Sequence, residues 1–112
     1  MSQEILNAYR SMWVFCFFDL PVITSKQRKQ ATNFREYLKE IGFDMYQYSV
    51  YQRFCKNREF AGTYIRKVER ALPPNGHVSI MQVTDKQYGM IKNLVSRRVK
   101  PMMPEPPQLD FF

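Results

Sequence analysis

Met12-Trp-Val-Phe-Cys-Phe-Phe-Asp-Leu-Pro21 decides the fold. Its apolar run from Met12 to Phe18 is too short to cross a bilayer, and its aromatic and β-branched content predicts a strand rather than a helix. Alternation puts Trp13, Phe15, Phe17 and Asp19 on one face and Val14, Cys16, Phe18 and Leu20 on the other. Both faces are therefore apolar and both need covering, as in a central strand, whereas one layer of helices covers only one of them. Asp19 ends the strand on the face left over.

Working outward, two helices are legible. Thr24 and Gln27 have the spacing of a capping box, and Ala31, Phe34, Leu38 and Ile41 recur at helical intervals up to Gly42. Asn57 can cap a second helix, whose inner face carries Ala61, Ile65, Val68 and Leu72 before Pro73-Pro74-Asn75-Gly76 breaks it. Between the helices, Phe43 to Phe54 predicts a tyrosine-rich strand in which Phe43, Met45, Gln47, Ser49, Tyr51 and Arg53 share a face. A further strand runs from His77 to Thr84, followed by a second capping box at Thr84 and Gln87 and a short fourth strand from Lys92 to Ser96. As written, the elements run β-α-β-α-β-β; the ferredoxin-like order βαββαβ is restored only if Phe43 to Phe54 folds back on itself.

The 112 residues suit one domain, with a lead-in over 1–11, a folded unit over 12–96 and a basic, proline-rich arm over 97–112. The lead-in contains Glu4 and no apolar signal region, which predicts a cytoplasmic protein that engages no membrane. The arm holds four of the seven prolines and ends in Leu109, Phe111 and Phe112. An extended spacer of this kind reaches roughly 25 Å over eight residues, enough to dock on a neighbouring subunit.

Charge narrows the function. A net charge of +7 favours a polyanion partner, the alternative being a merely basic soluble protein. Arg28, Arg35 and Lys39 form a stripe on the first helix, diluted by Glu36 and Glu40, and Arg58, Arg66, Lys67 and Arg70 form another surface on the second. The two cysteines and single histidine lack zinc-ligand spacing. Cys16 reads as a small buried hydrophobe. His77 reads as a surface residue, because no acid close in sequence orients it. Asp19 is open to two readings, a strand-end cap for an amide in the loop after Pro21 or a functional carboxylate.

The segments FFDLP, QYSVYQRFC, LPPNG and VTDKQY occur in this order between Met12 and about Val95. Together they resemble the CRISPR-associated Cas-two family, in the form found with single large effector nucleases. The resemblance implies an α+β, ferredoxin-like sandwich: an antiparallel sheet with two helices on one face, plus a C-terminal extension strand that pairs with the other protomer. It implies a homodimer through the open sheet face, with Trp13, Phe15, Phe17, Ser49 and Tyr51 at the interface. It further implies Asp19 near the symmetry axis as metal ligand and catalytic residue for Mg²⁺ or Mn²⁺, and a partner in the Cas-one integrase. Two activities come with the family: divalent-metal endonuclease cleavage of RNA or DNA, and non-catalytic bridging of integrase dimers around duplex DNA. Phe18 stands where many members carry tyrosine and Met45 where several carry arginine, which weighs toward the bridging role.

Overall fold

The structure, a computed structural model, describes residues 10–96; most of the lead-in and the whole arm, with Leu109, Phe111 and Phe112, lie outside the described residues. The elements are β1 (Met12–Asp19), α1 (Ser25–Glu40), β2 (Asp44–Gln47), β3 (Val50–Cys55), α2 (Arg58–Arg70), β4 (His77–Thr84) and α3 (Asp85–Tyr88). The strands form one antiparallel sheet in the order β2-β3-β1-β4. This is the ferredoxin-like βαββαβ arrangement, with β1 at its centre bonded to strands on both sides.

The sheet's helix side is the core. Val14, Cys16 and Phe18 from β1 meet Ala31, Phe34 and Leu38 from α1 and Ala61 and Val68 from α2. Val14 and Leu38 are completely enclosed, each contributing about 1.5–3 kcal/mol by leaving water. Both helix starts use the caps read from sequence: Gln27 N donates to Thr24 Oγ1 at 3.1 Å, and Phe60 N donates to Asn57 Oδ1 at 2.8 Å.

Three expectations need correction. Phe43 to Phe54 is not one strand: the chain reverses at Tyr48 and Ser49, the latter at φ 56° with its carbonyl accepting Phe18 N at 3.0 Å. The resulting β2–β3 hairpin, irregular between Met45 and Gln47, supplies the missing strand of the sheet. Consequently no fourth strand is needed at Lys92 to Ser96, and that segment has no regular structure. Finally, Tyr51 does not face outward. It pairs with Cys16, so its side chain enters the helix-side core, where it is 1% exposed.

Arg53, on the same side as Tyr51, locks the hairpin to the helices. Its Nε donates to Ile41 O at 2.8 Å, and its guanidinium lies 3.8 Å over the Tyr64 ring. Gly42 makes this possible: at φ 95° a Cβ there would stand 2.8 Å from Arg53 Nε.

Candidate nucleic-acid interface and strand-end carboxylate

On the open face of the sheet, β1 contributes Trp13, Phe15 and Phe17, opposite Phe54, Gln52 and Val50 of β3 and Val83, Met81 and Ser79 of β4. One end of this face is closed by the chain itself. The Tyr88 ring stacks on Trp13 with centroids 3.8 Å apart and planes within 6°, and its hydroxyl donates to Gln52 Oε1 at 2.8 Å. Tyr46 approaches Phe15 edge-on at 5.2 Å, leaving Phe15 only 2% exposed. The second capping box, with Gln87 N donating to Thr84 Oγ1 at 3.1 Å, holds α3 in place for this contact. Trp13 and Phe15, expected to wait for a partner subunit, are thus largely covered within their own chain. Phe17, Val50, Met81 and Phe54 keep exposed area on this face.

The other end stays open, and Asp19 stands there. Asp19, Tyr48, Ser49, Val50, His77 and Ser79 border a shallow depression of about 260 Å³. The Asp19 carboxylate accepts no hydrogen bond and forms no ion pair among the described residues. The amides of Ile23 and Thr24 in the loop after Pro21 are served instead by Gln27 Oε1, each at 3.0 Å. The register also brings His77 directly opposite Asp19, on the last rung of the β1–β4 ladder. Sequence reasoning missed this neighbour, since the acid it sought close in sequence lies on another strand; pairing β1 with β4 as antiparallel neighbours would have found it.

Mg²⁺ commonly takes one or two carboxylates, with water completing the shell. One copy offers the single carboxylate of Asp19, and among the described residues no three His, Cys, Asp or Glu side chains gather to hold a metal. The donor set fits a divalent cation as half a site, to be completed by water or by a second copy. The cysteines do not contribute. Cys16 is enclosed, and burial pushes its thiol up to about 12, so it stays neutral and weakly nucleophilic.

The basic residues lie on the helices, across the sheet from this face. Arg28 Nη1 donates to Val22 O and Ile23 O at 3.2 and 2.9 Å, fastening the loop after β1. Arg35 reaches Thr32 Oγ1 at 3.2 Å, and Lys39 pairs with Glu36 at 3.7 Å in the open. On α2, Arg66 Nη2 donates to Thr63 Oγ1 at 3.3 Å and Lys67 Nζ sits 4.9 Å from the centre of the Tyr64 ring. Arg58 and Arg70 are exposed and meet no acid among the described residues. Among the described residues, Lys39 of α1 is paired with Glu36, whereas no ion pair forms on α2. No described helix is long and apolar enough to cross a membrane.

The fold and its surfaces define a small ferredoxin-like protein with cation-bearing helices on one face of the sheet and a half-open apolar face bearing a free strand-end carboxylate on the other. Residues 12–91 match the family of CRISPR associated protein Cas2, and the chain belongs to that family. It is 44% identical over 109 residues to a CRISPR-associated endoribonuclease Cas2 of Flavobacterium psychrophilum, spanning 96% of this chain and 93% of the relative. With a CRISPR-associated endoribonuclease Cas2 of Paracidovorax avenae it shares 47% over 108 residues, 96% of this chain and all of the relative. Among solved structures, a crystal structure of cas2 matches with a TM-score of 0.55 at 17% identity, over 86% of this chain and 99% of that one, a likeness of fold.

Proposed function

We propose that the protein is a dimeric subunit of CRISPR adaptation, in which two copies join through the open sheet face, hold the incoming spacer duplex by its phosphate backbone and bridge dimers of the Cas-one integrase. The observation that carries this reading is the exposed Arg58 and Arg70, with no acidic partner among the described residues, and the exposed Arg66 on the same helix. Backbone binding needs distributed charge rather than one indispensable side chain, and two copies double the +7 of one. The uncovered Phe17, Val50, Met81 and Phe54 supply apolar area for self-association. Titrating duplex binding against salt tests the proposal. The logarithm of affinity should fall linearly with the logarithm of salt, by roughly 0.9 per phosphate contacted, with little dependence on base sequence. A flat response would end it.

A second reading has its own observation, the exposed Asp19 carboxylate, which no described residue engages. The relatives are named endoribonucleases, and Asp19 with its counterpart in a second copy would hold Mg²⁺ or Mn²⁺. Such an ion polarises a phosphoryl oxygen and lowers the pKa of bound water. What this chain supplies is a fixed ligand at the end of a rigid strand, in a depression that no described Lys or Arg borders to compete for the carboxylate.

A further inference from the structure

Resting on the reading of Asp19 as a metal ligand, we infer that His77 is a second donor to the same ion, making the site of each chain a carboxylate–imidazole pair that selects a transition-series divalent cation over Mg²⁺. Asp19 and His77 face each other on the terminal rung of the β1–β4 ladder, so their side chains leave the same face of the sheet. Directly opposed residues have Cβ atoms about 4.5–5.5 Å apart. One ion bound by both groups, at about 2.0–2.2 Å from each, requires their donor atoms to lie about 3 Å apart, within reach of ordinary rotamers from that spacing.

Three further features point the same way. Both side chains are exposed and neither is engaged by another described residue. Both border one depression with Ser49 and Ser79, so an ion there has hydroxyl groups near its water ligands. The backbone leading into His77 is fixed by Gly76, at φ 103°, where a Cβ would stand 3.0 Å from Asp19 O and 2.7 Å from Leu20 Cδ2. The turn is thus pressed against the end of β1, and His77 is held beside Asp19.

The consequence is selectivity. Carboxylate and water alone suit Mg²⁺ and Mn²⁺, whereas adding an imidazole favours Co²⁺, Ni²⁺ or Zn²⁺. The experiment uses the full chain stripped with chelator, near pH 8. Mn²⁺ binding is read from loss of the free-ion paramagnetic resonance signal, Co²⁺ from its visible spectrum, and Mg²⁺ by calorimetry. Wild type should bind Co²⁺ more tightly than Mn²⁺ or Mg²⁺. His77→Ala should weaken Co²⁺ roughly tenfold or more and alter its spectrum, while Mg²⁺ affinity moves less than about twofold. Asp19→Ala should lose all three ions. His77→Gln replaces His77→Ala if circular dichroism shows the latter unfolded. Unchanged Co²⁺ binding in a folded His77 variant would overturn the assignment and leave Asp19 as the ligand. Wild type that bound none of these ions would overturn the metal reading and the assignment with it.

Discussion

Trp13 Nε1 donates to Asp85 Oδ1 at 2.7 Å, joining the start of the central strand to the first residue of α3. With Asp85 N held by Ser11 O at 3.0 Å, this bond anchors the short helix whose Tyr88 covers Trp13. The open sheet face is consequently closed at the Trp13 end and accessible at the Asp19 end. Trp13→Phe keeps an aromatic face but removes the indole donor. It should cost about 1.5–2 kcal/mol, seen as a lower urea midpoint with an unchanged slope.

Gly42 accommodates Arg53 by having no side chain. Gly42→Ala should destabilise by roughly 2–3 kcal/mol, combining a left-handed backbone with a clash against the guanidinium. The same substitution in an Arg53→Ala background should cost markedly less, because only the backbone strain remains. A double-mutant cycle in urea measures the difference.

The alkaline limit of stability should involve the buried thiols. Burial holds Cys16 protonated up to about 12, and it raises Cys55 as well, against the lowering influence of Arg53. The unfolded chain releases these protons near pH 8.5–9, so the stabilisation is full below that pH and decays as pH rises toward 12, by up to about 1.4 kcal/mol per pH unit for each thiol. Urea midpoints measured from pH 8 to 11 should fall less steeply in Cys16→Ala than in wild type.

Much of this architecture is legible in the chain because its signals are local. Thr24 with Gln27, Thr84 with Gln87, Asn57 and the glycine at Gly42 each mark a boundary through bonds made within a few residues. The alternation of β1 likewise separates core from open face. The β2–β3 turn is hidden because Tyr48-Ser49 carries no glycine, proline or asparagine, and Ser49 takes its left-handed conformation with the Phe18 amide bonded to its carbonyl from another strand. Tyr51 and Arg53 stand on the helix side because they pair with Cys16 and Val14, a register that only the folded sheet shows. The Asp19–His77 juxtaposition was invisible for a related reason, since it exists only once β1 and β4 are paired.

For the metal-dependent reading, Asp19→Asn removes the carboxylate charge with little change of shape at an exposed site. Cleavage of RNA in Mg²⁺ or Mn²⁺ should fall at least about a hundredfold, with circular dichroism unchanged. Equal cleavage by variant and wild type would assign the activity to a contaminant and leave the carboxylate without that role.

The central claim is that charge on the helix surface holds a duplex for the integrase. Its most direct test is spacer integration reconstituted from the Cas-one integrase, a short duplex and either wild type or Arg66→Glu/Arg70→Glu, with dimer mass checked by sedimentation. The account predicts that the charge-reversed protein remains folded and dimeric but loses duplex retention and integration together. Integration at the wild-type level by that variant would contradict it.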